Sequence, residues 1–301
     1  MKRREFIEKT AASAALVSIG LGTTAFTESP LKKLTILHTN DVHSYIEPFA
    51  ANHPKYPNMG GVARRAALIG QIRKTNPNVL LVDSGDIFQG TPYFNYYKGA
   101  LEFTLMSKMG YDFATLGNHD FDNGIEGFHE QLHLANFPFV SANYNFKNTL
   151  LDGLISPYKV VIKDGIKIGV FGLGIDFDGL VDKRNYKETV YLDPIEIAND
   201  TAAQLKNNEK CDLVICLSHL GYSYKEDKIS DVKLATQTKN IDLILGGHTH
   251  TFLEKPTVLK NIAQEEVLIN QAGCYGLLLG QIDFYFDKNT KTNHRSKSIV
   301  V

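Results

Sequence analysis

The run Val79-Leu-Leu-Val-Asp-Ser-Gly-Asp86 sets a pattern that recurs along the chain: four apolar residues, then an abrupt change to small and acidic ones. The apolar part is too short for a helix and fits a strand buried on both faces, and Ser-Gly is turn chemistry. Leu34-Thr-Ile-Leu37 leads in the same way to Asn40-Asp41, and Phe113-Ala-Thr-Leu116 leads to Gly117-Asn118-His119. Leu213-Val-Ile-Cys-Leu217 leads to Ser218-His219, and Leu243-Ile-Leu245 to Gly246-Gly-His248. Between these runs apolar residues recur at helical spacing over 62–72, 101–109, 125–134 and 194–205. The last opens on Pro194, which suits a first turn.

Strands alternating with helices point to βαβ units around a buried sheet. Toward the C-terminus the pattern becomes plain β. Glu266-Val-Leu-Ile269 and the run from Leu277 to Phe286 read as successive strands. Tyr158 to Ile162 and Ile166 to Phe171 read as a hairpin around Asp164-Gly165. Two facing mixed sheets with helices outside accommodate both patterns. No linker, low-complexity stretch or repeat interrupts residues 31–301, which read as one domain.

Composition excludes several classes. Hydrophobic residues make up 43% and charged residues 22%, the balance of a globular chain. With 32 Lys and Arg against 33 Asp and Glu there is no basic excess, so no nucleic-acid polymer is expected as a partner. Cys211, Cys216 and Cys274 form neither a CxxC nor an even disulfide framework. Cys211 and Cys216 flank one apolar run, about 16 Å apart and on opposite strand faces, so they read as small buried thiols.

The first 25 residues read as an address. A charged start, Met1-Lys-Arg-Arg-Glu-Phe-Ile-Glu-Lys9, precedes a short, weakly apolar stretch and the cleavage pattern Thr23-Thr-Ala25. Arg3-Arg4-x-Phe6-Ile7 resembles a twin-arginine signal. Export to the periplasm is expected, with cleavage near Ala25 and no transmembrane segment in the mature chain.

The polar residues at the strand ends carry the chemistry. Loops after strand C-termini are where α/β sheets place ligands. Five such loops hold Asp41-x-His43, Gly85-Asp86, Gly117-Asn118-His119-Asp120, Ser218-His219 and Gly246-Gly-His248-Thr-His250. Each alone has a bland reading: a chance pair, a turn, an Asx turn, a histidine at the core edge. Two histidines two apart after a tight turn rarely serve packing, and all five together in order leave little room for coincidence. Carboxylate, imidazole and carboxamide suit borderline divalent ions such as Zn, Mn or Fe. Six or seven donors are too many for one tetrahedral zinc and suit two ions sharing a carboxylate.

These motifs resemble the calcineurin-like metallophosphoesterase superfamily, whose pattern is Asp-x-His, Gly-Asp, Gly-Asn-His-(Asp/Glu), His and Gly-His-x-His. The strings Ile36-Leu-His-Thr-Asn-Asp-Val-His43, Gly85-Asp-Ile-Phe-Gln-Gly-Thr91 and Gly117-Asn-His-Asp-Phe-Asp122 resemble its 5′-nucleotidase branch. The resemblance implies a four-layer α/β/β/α sandwich. It also implies one metal held by Asp41, His43, Asp86 and His250, and a second held by Asp86, Asn118, His219 and His248, with Asp86 bridging. His119 matches the catalytic histidine and Asp122 the carboxylate that orients it, although a helix cap before Ile125 suits Asp122 nearly as well. A hydroxide shared by the two ions would attack phosphorus in line.

The implied substrate is a small phosphoester, foremost a nucleoside 5′-monophosphate. The alternatives are a 2′,3′-cyclic-nucleotide phosphodiesterase, a broad phosphomonoesterase, a thiosulfohydrolase-like enzyme and an inactive metal-binding subunit. Asn143, after the run Phe139-Val-Ser-Ala, is expected either to line the site or to serve a turn. The C-terminal nucleotide-recognition domain of two-domain 5′-nucleotidases is expected to be absent. A separate exported protein resembling that domain is then the expected partner.

Overall fold

A computed structural model of the chain describes residues 31–301, so the address read over 1–25 lies outside the described residues. The strands are β1 (Lys32–Thr39), β2 (Val79–Asp83), β3 (Phe113–Ala114), β4 (Tyr144–Asn145), β5 (Tyr158–Lys163), β6 (Ile166–Leu173) and β7 (Val190–Tyr191). They continue with β8 (Leu213–Ser218), β9 (Leu243–Leu245), β10 (Thr257–Lys260), β11 (Glu266–Asn270), β12 (Leu278–Asp287) and β13 (Thr290–Val300). One mixed sheet has the order β13-β12-β1-β2-β3, a second has β10-β11-β9-β8-β6-β5, and β4 pairs with β7. The central pairs β1–β2, β6–β8 and β8–β9 are parallel.

Alternation along the strands builds the layers. Ile36, Leu80, Val82, Ile282 and Phe284 of the first sheet meet Ile168, Val170, Leu213, Ile215 and Leu245 of the second in one apolar core. On its other face the first sheet turns Leu37 and Leu81 to the helices Val62–Thr75 and Ala100–Met109, through Ile69, Phe103 and Met106. The second sheet turns Val214, Cys216 and Ile244 to the helix Pro194–Ala203 and the helix Asp231–Gln237. Three cores separating four layers make the α/β/β/α sandwich.

Local chemistry explains the boundaries. Asp193 Oδ1 accepts the backbone N–H groups of Ile195 and Glu196, capping a helix whose first residue is Pro194. The β5–β6 hairpin turns on Asp164 and Gly165, with φ of 53° and 76°, the left-handed pair that a two-residue hairpin needs. Cys211 departs from its expected place. It precedes β8 instead of lying in it, so it joins Cys216 in the same core; both thiols are free and buried. β13, Thr290-Lys-Thr-Asn-His-Arg-Ser-Lys-Ser-Ile-Val300, escapes sequence reading because it is polar from Thr290 to Ser298. It is an edge strand held by backbone pairing to β12, and its charges guard that edge. No helix among the described residues is long and apolar enough to cross a membrane.

Ile215 is fully buried between the sheets, whereas Val300 is 60% exposed on the edge. Ile215→Ala is expected to lower the unfolding free energy by about 2–5 kcal/mol. Val300→Ala is expected to change it by less than about 0.5 kcal/mol. Denaturant titration of the two variants makes the comparison, and equal losses would contradict a core between the sheets.

Candidate metal centre

The parallel strands of both sheets end at one place. At the ends of β2 and β9, Ser84 Oγ donates to the Leu245 carbonyl at 2.7 Å, tying the sheets together. Beyond the strand ends the backbone turns sharply: Asp41, His43, Asp86, His248 and His250 all have φ between 46° and 71°. Left-handed geometry costs an L-residue about 1–2 kcal/mol, so the surroundings must hold it. Part of that hold is mutual. Asp41 N donates to Gly85 O, His43 N to Asp86 O and Ser44 N to Ile87 O, at 2.9–3.1 Å. Gly117 is required by close approach, because a Cβ there would overlap Asp86 Oδ1 and the His219 ring.

Asp120 is the second part. Its buried carboxylate accepts four backbone N–H bonds, from Asp86, Ile87, Phe88 and Gly117, at 2.8–3.2 Å. It therefore clamps the Gly85-Asp86 loop to the Gly117-Asn118 loop. Burial and then the Asp86 charge push its carboxyl up to about 7. Asn40 does similar work: its amide donates to Asp41 Oδ2 and Gly273 O and accepts from Ala272 N. Neither Asp120 nor Asn40 was singled out for a role from sequence, although both stand inside the quoted motifs.

The expected donors converge. Ligand atoms of Asp41, His43 and His250 lie within 4.8 Å of one another, and so do those of Asp86, His219 and His248. Asp86 Oδ2 joins the groups, 3.1 Å from His219 Nε2 and 3.7 Å from His43 Nε2. Asn118 Oδ1 is 2.8 Å from His248 Nδ1. His219 Nδ1 faces the Ser84 carbonyl at 2.7 Å and must donate to it, which turns the Nε2 lone pair inward. That buried Nε2 has no aligned hydrogen-bond partner. His43 repeats the arrangement, Nδ1 toward Phe88 O at 3.2 Å and Nε2 only 3.0 Å from His250 Nε2. Imidazole lone pairs and carboxylate oxygens aimed at common points form a donor set that divalent ions complete.

The charges of the donors are strongly coupled. Burial alone would discharge His219, but Asp86 and Asp41 outweigh it and lift the imidazole to about 10, so a divalent ion would take the Nε2 lone pair by displacing a proton. Burial works against the charge on Asp86 too, and His219 with His43 prevails, holding the carboxyl well below its usual range. Burial and then His219 drive His248 down to about 4.

His119 stands at the rim. Its Nδ1 is 2.8 Å from Asp122 Oδ2, with side chains 35% and 31% exposed, and its backbone N–H donates to Asp86 Oδ1. The Asp122 hydrogen bond raises the imidazole above its ordinary value, against an opposing effect of burial. The helix that follows starts at Gly124 with no side-chain cap, so the capping reading of Asp122 gives way to the pairing. Asp86, Asn118, His119, His43, His248 and His250 line one open cleft of about 390 Å³, with Tyr45 and Tyr275 on its wall. Asn143 does not reach the cleft. It is buried and spends both ends of its amide on Gly174 N and O, at 2.8 Å each.

The chain resembles known proteins in sequence and fold. Residues 34–252 match the family model of calcineurin-like phosphoesterases. The chain is 34% identical to the 5′-nucleotidase of Bos taurus over 94% of its own length and 52% of that protein. It is also 34% identical to the trifunctional nucleotide phosphoesterase protein YfkN of Bacillus subtilis (strain 168), over 85% of its length and 18% of that protein. Among solved structures, the 5′-nucleotidase precursor from Thermus thermophilus superposes with a TM-score of 0.80 at 33% identity, covering 89% of this chain and 54% of that one. The chain thus spans about half the length, or less, of these relatives.

Asp120→Asn would set an NH2 group against backbone N–H donors. The fold is expected to lose about 2–5 kcal/mol and divalent ions to bind at least about tenfold more weakly. Thermal melts and metal titration by calorimetry measure both, and unaltered metal affinity would show that the clamp does not support the donors.

Proposed function

Because the chain belongs to the calcineurin-like phosphoesterase family, we propose that it is a metal-dependent phosphoester hydrolase acting on nucleoside 5′-monophosphates. The observation that carries this reading is the meeting of two His/Asp donor groups beside a rim histidine paired with a carboxylate. Asp41, His43, Asp86 and His250 would hold one ion and Asp86, Asn118, His219 and His248 the other, with Zn, Mn or Fe as suitable metals. The pair would supply Lewis acidity at phosphorus and water ionised near neutral pH.

The chain's own groups do the rest. Asp122 accepts from His119 Nδ1–H, which fixes the ring's orientation and favours its cation. The proton on Nε2 is then available to the departing alkoxide oxygen, the general-acid role. The deep burial of Asp41, Asp86 and His219 keeps bulk water from competing for the donors. Nucleotides are the favoured substrate class because the named relatives are nucleotidases and nucleotide phosphoesterases. Export through the twin-arginine-like start completes the proposal, supported by Arg3-Arg4-x-Phe6-Ile7 and the Thr23-Thr-Ala25 pattern.

Chelation is expected to abolish turnover and added divalent ion to restore it. Asp86→Asn should lose full occupancy of both ions together with activity; two tightly bound ions in that variant would contradict bridging. His119→Ala should keep its metals while kcat falls about 10²–10⁴-fold. Assays against nucleoside monophosphates, cyclic nucleotides, bis(p-nitrophenyl) phosphate and a thiosulfate conjugate identify the bond cleaved. For export, Arg3→Lys with Arg4→Lys should leave precursor inside the cell, and unchanged secretion would point to a general secretory signal.

A further inference from the structure

One wall of the cleft has no part in the phosphoester chemistry above. Tyr45 and Tyr275 line the same space as Asp86, Asn118 and His119, with ring centroids 4.4 Å apart and a 40° tilt. The Tyr275 ring lies 5.6 Å from His250 and 5.9 Å from His43, at the edge of the candidate donors. Outward the row continues. Phe49 stacks on Tyr45 at 4.9 Å, Tyr56 follows at 5.5 Å, and Phe252, 43% exposed, lies 6.4 Å beyond Tyr56. None of these five rings belongs to any of the three apolar cores, and each stays at least partly open to solvent.

Tyr275 is also held against its backbone preference. Its φ is +60°, unfavourable for a bulky residue, within a turn whose Gly273 and Gly276 are also left-handed. Its N–H donates to the Asp41 carbonyl at 2.7 Å, so the ring position is set by the same loop that carries a candidate ligand. A strained aromatic residue, left out of the core and tied to the metal loop, has its use in the cleft.

We propose that Tyr45 and Tyr275 form a stacking platform for a planar leaving group, a nucleobase, so that this domain itself separates nucleoside phosphates from plain sugar phosphates. The proposal rests on the phosphomonoesterase reading above. Flat rings suit it because every base offers a π-face and stacking tolerates base identity. Preference should therefore be for a nucleoside over none, and weak among bases.

The test compares kcat/KM for adenosine 5′-monophosphate and ribose 5-phosphate, using the full chain loaded with Mn(II). Both esters are cleaved at a primary 5-hydroxyl of ribose, so their ratio reports the contribution of the base. The wild type is expected to favour the nucleotide by about 5- to 150-fold, the worth of one stacked base. Tyr45→Leu and Tyr275→Ala should each cut that ratio at least about fivefold, and Tyr45→Phe should restore it. Saturation-transfer NMR with adenosine reads the contact without turnover, and the signal should weaken in Tyr45→Leu. A ratio near one in the wild type, or the same ratio and adenosine signal in Tyr45→Leu, overturns the platform while leaving the hydrolase reading intact. Adenosine contact that depends on Tyr45, with neither ester cleaved, upholds the platform and removes the phosphomonoesterase reading instead.

Discussion

Two buried carboxylates, Asp41 and Asp86, set against four imidazoles are the constraint to which the surrounding structure answers. Charge taken out of water must be matched within a few ångströms or the fold does not form. The protein matches it with His219 and His43 and with directed N–H groups, namely His248 N on Asp41 and His119 N on Asp86. Strand ends, tight glycines and left-handed residues all bring those groups to one point.

Such a point is costly in backbone terms, and the structure shows where the compensation lies. Five candidate donors sit in left-handed geometry, each disfavoured by about 1–2 kcal/mol. Asp120 offsets part of this with four backbone hydrogen bonds that span two loops. At these five positions a buried carboxylate and the two sheets over-determine the backbone, the condition under which strain persists. His119 and Asp122 follow another rule. They sit a third exposed at the rim, where a proton donor can meet both substrate and solvent.

The cleft wall changes what selectivity asks of this chain. From motifs alone, recognition of the base was expected to come from outside the domain. The row from Tyr45 to Phe252 sits on the domain itself, beginning against the candidate donors and ending in solvent. Stacking surface and phosphate chemistry can then occupy a single unit, with further contacts from elsewhere refining a preference that begins here.

Much of this was legible along the chain because it depends on local order. Apolar runs ending in Asn40-Asp41, Gly85-Asp86, Gly117-Asn118-His119 and Gly246-Gly-His248 specify parallel strands with donors at their ends, since period and turn chemistry are nearest-neighbour properties. What stayed hidden depends on partners distant in sequence. Asp120 looked like the tail of a motif until its oxygens met backbone N–H groups more than thirty residues away. Asn143 suited a place in the site or a turn equally well until Gly174 took both ends of its amide. β13 had no pattern to find, because an edge strand gains its place from the backbone of β12. Tyr45 and Tyr275 are separated by 230 residues, and the turn at Gly276 and the hydrogen bond to Asp41 bring the rings together. Residue order alone specifies the layers and the candidate donors, because side-chain period and chemistry are written residue by residue. Which oxygens and rings meet is settled on folding, because convergence is a property of the assembled backbone and of no single segment.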